Sequence, residues 1–348
     1  MTSVLDTVLA IDLLNIMLLT VLFMTAIAVA RMNSLFAIVM LSGVFSLTSA
    51  TWFVALDAVD VAFTEASVGA GISTALFLGA MLLTARSAKP VRREAQLLPL
   101  LVVVATGAVL IYASLDLPQF GDPASPANTY VGVSYLERTV DEIGIPNVVT
   151  AVLASYRGFD TLGEVGVVYS AGLAVVLLLG IGERSLGANP HKLDESGQSE
   201  GDHHVVLRVV SKPLLPIVVL FGLYVQFHGD FGPGGGFQAG VILAVSVILH
   251  ALIFGLGAAM RAVSPGFARG LAGFGFLLYA GIGVWALAMG GDFLDYDALF
   301  NEPPGGHLGQ HWGIILIELG VLFAVAGSMV AIFYAFAGRV SEIRDEDW

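Results

Sequence analysis

The chain has 348 residues, of which 57% are hydrophobic and 12% charged, and its formal net charge is -13. This composition excludes a soluble globular domain, and the acidic balance argues against nucleic acid as a partner because phosphate binding needs a basic surface. Cysteine is absent, which excludes a disulfide framework and a thiolate metal site.

Nine apolar runs follow one another along the chain. Each has roughly 19–26 residues, enough to cross about 30 Å of hydrocarbon at 1.5 Å per residue. The first lacks a basic n-region and a cleavage site, so we expect a retained helix rather than a signal peptide. The sequence therefore predicts an all-α polytopic membrane protein. Its spans cover approximately residues 7–30, 34–56, 61–85, 97–115, 165–183, 205–227, 235–257, 267–290 and 312–337.

The basic residues predict the orientation, because they gather on the cytoplasmic side of membrane proteins. With nine spans, 13 of the 15 Lys and Arg residues fall on one side, and only Arg138 and Arg157 fall on the other. The N-terminus is then outside and the C-terminus cytoplasmic. The outer loops are acidic, which either raises the local cation concentration at a pore mouth or only keeps these loops soluble.

Two polar segments interrupt the apolar runs. Residues 187–204, GANPHKLDESGQSEGDHH, are predicted to form a flexible cytoplasmic linker. The outer loop 116–164 is turn-rich at first. Its second part, NVVTAVLASYRGFDTLGE at 147–164, is apolar at helical spacing and is expected to lie along the membrane surface.

A glycine-rich motif, FHGDFGPGGGFQAG, occupies residues 227–240. No lysine follows the glycines, as a phosphate-binding P-loop would need, and no kinase signature surrounds the Asp-Phe-Gly. The motif instead predicts a tight hairpin, with one span ending near His228 and the next beginning near Gly235. Its glycines allow unusual backbone conformations and close helix approach. The core of the motif comprises Pro233, Gly234, Gly235, Gly236 and Phe237.

Three stretches resemble known families. The segment LRVVSKPLLPIVVLFGLYVQFHGDFGPGGGFQAGVILA at 207–244 resembles the MnhB domain of Mrp (Mnh) type sodium/proton antiporters. The segment DAVDVAFTEASVGAGISTALFLGAML at 57–82 resembles the MbhD (DUF4040) family, and VVTAVLASYRGFDTLGEVGVVYSAGLAVVLLL at 148–179 resembles MbhE. We therefore predict a first module at 1–95, a second at 96–186, the linker at 187–204 and a third module at 205–348.

The resemblance implies a multi-pass subunit in a prokaryotic cell (inner) membrane, within a complex that exchanges Na+ for H+. It implies partners of two kinds, large NuoL/NuoN-like and small NuoK-like membrane chains. Two alternatives stay open. One is an ion-translocating subunit of a membrane-bound hydrogenase or other complex-I-related oxidoreductase, and the other is a purely structural assembly subunit. No nucleophile, metal or nucleotide signature indicates an independent enzyme or a cofactor.

Ionisable residues inside spans are costly and usually mark ion or proton paths. Glu65 lies about 8 Å into the third span, at 1.5 Å per residue. Asp57 and Asp60 precede it, and together the three descend from the acidic outer face as an entry path would. The sequence VGAGIS at 68–73 is expected to open the helix below them and expose its carbonyl groups. Alternatively, Glu65 is a boundary carboxylate hydrated from outside.

Other charged residues are weaker candidates for the path. Glu318 lies about six residues into the ninth span, where a structural hydrogen bond is the alternative role. Glu164 is predicted at the start of the fifth span, with Asp160 one turn earlier and Arg157 as a partner for one of them; capping of the helix dipole is the alternative.

The remaining candidates lie in the first, sixth and seventh spans. His250 would relay protons or be a satisfied core histidine, and Asp12 is a similar case. Arg208 and Lys212 would extend to the cytoplasmic interface or neutralise a buried carboxylate. The pairs His307/His311 and His203/His204 lack the further ligands of a zinc site, so no metal is expected.

The predicted orientation can be tested with single cysteines at Ala124 and Ser196, because the parent chain has none. We expect an impermeant thiol reagent to label the two positions from opposite sides of the membrane. The cysteine-free parent is the control, and labelling of both positions from one side would contradict the topology.

Overall fold

The structure is a computed structural model that describes residues 2–81, 83–84, 87–88, 97–119, 121–180, 205–300, 303 and 305–338. The predicted linker 187–204 lies outside these residues, as do His203, His204 and many of the basic residues that predict the orientation.

The described residues form helices joined by turns, and nine of these helices are long and apolar enough to cross a membrane. The predicted all-α polytopic class is therefore confirmed, while the orientation stays a prediction. The helices are α1 (Thr2–Arg31), α2 (Leu35–Ala55), α3 (Val59–Met81), α4 (Leu97–Ser114), α5 (Gly132–Glu142), α6 (Val148–Ala151), α7 (Gly158–Leu179), α8 (Val205–His228), α9 (Gly236–Phe254), α10 (Leu256–Ala262), α11 (Pro265–Ala288) and α12 (Leu308–Ala337).

Helix α12 lies at the centre of the bundle. Most of its residues are buried, and it packs against α7, α9 and α11. Small residues bring the backbones together, as where Gly275 of α11 lies directly against the backbone of Gly320 and Ala324 in α12. Lipid gives helices little hydrophobic reason to associate, so close packing of this kind holds such a bundle together.

Helix α3 changes its winding at its middle. Residues Ala66–Ile72 are π-helical, between regular segments at Val59–Glu65 and Ser73–Met81. The sequence predicts that 68–73 opens the helix, whereas the chain stays wound and takes wider turns. A π-turn accommodates an extra residue without breaking the helix, because each amide bonds five residues back.

The fifth span begins earlier than the sequence predicts. The expected start is near residue 165, whereas α7 begins at Gly158, so Asp160 and Glu164 belong to the helix. Two buried tyrosines of the third module fix this start. The hydroxyl of Tyr279 donates to the Gly158 carbonyl at 2.7 Å, and that of Tyr296 donates to the Ala154 carbonyl at 2.8 Å.

Two spans lie at the edge of the bundle. Helix α4 contains no buried residue, and α1 packs mainly against α2. Most of the large apolar side chains of α4 are exposed. In a membrane these surfaces face lipid or other chains.

We expect Gly275→Val to destabilise the bundle, because the new side chain would overlap the backbone of α12. Forcing extra volume into a packed site costs about 1–3 kcal/mol. The matched control is Gly281→Val on the same helix, where a side chain would meet nothing within 4 Å. Thermal unfolding of the purified protein measures both, and equal midpoints would show that α11 and α12 are not in close contact.

Candidate functional site

The glycine hairpin, residues 229–235, joins α8 to α9. Helix α8 ends at His228 and α9 begins at Gly236, close to the predicted limits. The Gly235 amide donates to the Val225 carbonyl at 3.0 Å, which closes the turn. Gly235 has φ 111°, in the left-handed region that favours glycine.

The hairpin packs directly against α12. A side chain at Gly236 would overlap the backbone carbonyl of Glu318, and one at Gly235 would come within 2.9 Å of the Glu318 carboxylate oxygen Oε1. Pro233 precedes these glycines in the turn, and Gly234 is buried beside the Val225 carbonyl. Phe237, in the first turn of α9, is half-buried against the core. Only a backbone without side chains can approach α12 this closely.

Asn147 holds the hairpin from the second module. Its side-chain amide donates to the carbonyls of Gly229 and Gly232, both at 2.9 Å. Its side-chain oxygen caps α6 by accepting from the amides of Val149 and Thr150. The Thr150 hydroxyl adds a 2.7 Å hydrogen bond to the Gly229 carbonyl. One asparagine therefore starts a helix and fixes the turn at the same time.

Three ionisable side chains meet where the hairpin touches α12. Asp230 is 4% exposed, and its Oδ2 lies 3.1 Å from Nδ1 of His311 in the first turn of α12. Burial raises the pKa of the Asp230 carboxyl above its ordinary value, and the neighbouring His311 acts in the opposite direction. Glu318 lies two turns further along α12 and is 9% exposed.

A cavity of about 240 Å³ lies between the three predicted modules. Asp60 of α3 and Glu164 of α7 both line it. Polar groups from other elements accompany the two carboxylates, and Gln238 of α9 donates to the hydroxyl of Thr64 at 2.7 Å. The polar lining residues are Asp60, Thr64, Thr150, Thr161, Glu164 and Gln238.

Glu65 faces a different neighbour from Asp60. It is half-buried at the start of the π-helical segment, and it does not line the cavity. A side chain at Gly69, one turn further, would clash with both the Glu65 carboxylate and the hydroxyl of Ser46 on α2. The structure thus places Glu65 between α2 and α3, while Asp60 faces the other modules.

The candidates near the starts of α3 and α7 are distributed around this site. Asp57 is exposed in the turn between α2 and α3, with φ 60°. Arg157 lies 2.6 Å from Asp160, and both side chains are more than half exposed. Glu164 remains on the cavity wall without that arginine.

The remaining candidates lie away from the hairpin. His250 packs on Phe254, with ring centroids 5.0 Å apart, about 20 Å along α9 from Gly236 at 1.5 Å per residue. Arg208 reaches towards the Ile253 carbonyl at 3.5 Å, and Lys212 is exposed. Within the described ranges, neither Arg208 nor Lys212 pairs with a carboxylate. Asp12 is exposed on α1.

Several residues of the site are not predicted from the sequence. Asn147 and Gln238 are uncharged, and nothing in their local pattern distinguishes them from other polar residues. Asp230 sits inside the glycine motif, which is the one available signal. His311 faces Asp230, whereas His307 lies against Gly144, so the i,i+4 spacing does not bring the two histidines to one ligand.

Three family models match successive parts of the chain. Residues 20–86 match MbhD and residues 91–183 match MbhE, described as the D and E subunits of MBH, and residues 206–331 match MnhB, "Domain related to MnhB subunit of Na+/H+ antiporter". A Staphylococcus aureus (strain MRSA252) protein named as antiporter subunit mnhB2 is 34% identical over 138 residues, which cover 39% of this chain and 96% of that protein. The chain belongs to the MnhB family of antiporter subunits.

Two longer proteins resemble this MnhB-family chain over most of its length. A Rhizobium meliloti (strain 1021) protein, named as the probable A/B subunit of a K(+)/H(+) antiporter, is 27% identical over 330 residues, which are 88% of this chain and 32% of that protein. A chain in the structure of the Mrp complex from Dietzia sp. DQ12-45-1b is 25% identical, with a TM-score of 0.73, over 94% of this chain and 35% of that one. The chain thus spans about a third of these two relatives. It is a multi-pass prokaryotic membrane protein.

The candidate site lies where the three matched domains meet. Asp60 and Glu65 fall in the MbhD match, Asn147 and Glu164 in the MbhE match, and the glycine hairpin in the MnhB match. No single domain of this MnhB-family chain contains the whole site.

We expect Gly235→Val to disturb assembly of the MnhB domain with its neighbours, since a β-branched residue resists positive φ and would meet Glu318. Gly290→Val is the matched control, because Gly290 has φ 93° but open space around it. The comparison therefore isolates the contact with Glu318. Subunit levels in the purified complex are the measurement. Full assembly and activity of Gly235→Val would contradict the close contact between the hairpin and α12.

Proposed function

We propose that this chain is a membrane subunit of an Mrp-type cation/proton antiporter complex and that it lines part of the ion path. The observation that carries the proposal is the cavity between the three modules, with Asp60 and Glu164 on its wall. Carboxylates inside an apolar bundle are costly unless they bind protons, cations or water.

The chemistry of this cavity suits a small hydrated cation. Carboxylate, hydroxyl and amide oxygens are the ligands that hard cations prefer. The two carboxylates come from different elements, so a cation between them would be held by the first and second modules together. Glu65 follows the lining residue Thr64 in α3 but does not line the cavity itself, and it would take part in proton exchange.

The residues that the structure describes contain nine candidate spans, and we assign proton pumping itself to large NuoL/NuoN-like membrane subunits, with small NuoK-like chains beside them. The exposed apolar faces of α1 and α4 offer surfaces for such partners or for the lipid bilayer. The cation would be Na+, as in the MnhB description, although the R. meliloti relative is named for K+.

A second candidate function follows from the two MBH matches in the first half. In that case the same cavity would carry ions that are coupled to electron transfer on partner subunits. Identification of the chains that copurify with the native complex distinguishes the two, because hydrogenase or iron–sulfur subunits favour the second candidate.

The function is tested by neutral substitutions in the assembled complex, with sodium-induced pH change in inside-out vesicles as the measurement. We expect Glu65→Gln to reduce the exchange rate on the order of 100-fold, because the amide cannot take up a proton. Glu65→Asp should retain part of the activity with a shifted pH profile. We expect Asp60→Asn and Glu164→Gln to raise the half-saturating Na+ concentration, because each removes a charge that attracts the cation.

Glu137→Gln is the control for these variants, since Glu137 is an exposed carboxylate of α5 outside the cavity. Quantified subunit levels show whether each complex has assembled, and a parallel series with K+ identifies the cation. Normal exchange by assembled Glu65→Gln, Asp60→Asn and Glu164→Gln complexes would show that these carboxylates lie outside the ion path.

A further inference from the structure

Three titratable groups form a line from the surface of α12 towards its buried middle. The side chain of His311 is 41% exposed, that of Asp230 only 5%. Glu318 lies seven residues after His311, on the same face of the helix and about 10 Å further along at 1.5 Å per residue. Asp230 contacts His311, and the Glu318 carboxylate lies beside Gly229, the residue that precedes Asp230.

Buried polar atoms without partners lie in the hairpin and in the helix turn that precedes it. Oδ1 of Asp230 is buried and forms no hydrogen bond. Both side-chain polar atoms of Gln226, in the last turn of α8, are also buried without partners. Groups of this kind are costly to bury, so their presence points to a bound proton or to water. The Glu318 oxygen Oε1 borders the same place, 3.3 Å from where a side chain at Gly229 would begin.

We propose that His311, Asp230 and Glu318 form a proton relay that leads from the hairpin end of the bundle into α12. This inference rests on the proposed function in an antiporter complex. A proton leaves Nδ1 of the His311 imidazolium as its N–H bond breaks, and an O–H bond forms at Oδ2 of Asp230. The O–H bond at Oδ2 then breaks as a water molecule beside the carboxyl group accepts this proton, and the water in turn releases a proton that forms an O–H bond on the Glu318 carboxylate.

The glycine hairpin is what makes this line continuous. Gly229 and Gly235 have no side chains, so nothing but backbone stands between the hairpin and the Glu318 carboxylate. The side-chain amide of Asn147 donates to the Gly229 carbonyl, and its backbone N–H donates to the Asp230 carbonyl at 3.0 Å. The relay would therefore be rigid at Asp230 and open to solvent at His311.

Other titratable groups surround the relay and would contribute to the pH profile of exchange. Asp60 of α3 lies 3.4 Å from the Asn147 side-chain nitrogen. His228 ends α8, where it stacks on Tyr224 beside Gly232. Tyr279 of α11 packs against Gly320 of α12, and Glu164 of α7 lines the cavity together with Val321 of α12.

The relay predicts different outcomes for two substitutions of His311. His311→Gln would reduce exchange across the pH range, because the amide cannot donate a proton to Asp230. In His311→Lys a donor remains that keeps its proton to higher pH, so the falling limb of the exchange profile would move to higher pH. Asp230→Asn would remove exchange because the amide cannot carry the proton.

The experiment measures cation-induced proton exchange against pH in inside-out vesicles that contain the full complex at matched subunit levels. His307→Gln is the control for loss of a nearby histidine, because His307 faces Gly144 instead of the hairpin. Infrared titration of the purified complex adds a measurement independent of transport, in which a protonated carboxyl signal disappears in Asp230→Asn.

A merely structural contact between Asp230 and His311 would lower the amount of assembled complex without moving the pH profile. Wild-type profiles in assembled His311→Gln and His311→Lys complexes would therefore overturn the relay, even where Asp230→Asn fails to assemble. Absence of exchange in the wild-type complex would overturn the proposed function, and the relay with it. Normal wild-type exchange with unshifted variants overturns the relay alone.

Discussion

The site depends on one steric constraint, the direct contact of the glycine hairpin with the backbone of α12. Gly236 lies against the Glu318 carbonyl, and Gly240, one turn further along α9, lies against the Leu322 carbonyl. Any side chain at these positions would push α9 away from α12. The distance between the two helices in turn sets where Asp230 meets His311 and how deeply Glu318 is buried.

The same constraint explains why the hairpin needs support from outside its own domain. Its carbonyls at Gly229 and Gly232 accept hydrogen bonds from Asn147 and Thr150 of the second module. Since an unpaired buried carbonyl costs about 1–3 kcal/mol, these bonds fix the position of the hairpin as well as satisfying it.

Local patterns could be predicted from the sequence, and tertiary neighbours could not. The hairpin limits at His228 and Gly236 follow from an apolar run interrupted by proline and glycine, which is a short-range signal. Asp60 and Glu65 look like one descending row in the sequence. Side chains five positions apart in a helix point about 140° apart at 3.6 residues per turn, so Asp60 and Glu65 face different elements. Helix α7 begins earlier than the sequence predicts because Tyr279 and Tyr296, more than a hundred residues away, hold its start.

The hydrogen bonds from Tyr279, Tyr296 and Asn147 join the second module to the third within a single chain. A protein made of the third module alone would have to form them between separate molecules and lose translational and rotational freedom in doing so. Covalent connection turns that encounter into an intramolecular one, at an effective concentration typically in the millimolar range. The cavity and the hairpin contacts are therefore completed at a one-to-one ratio whenever the chain folds, independently of how much of any other subunit the cell produces.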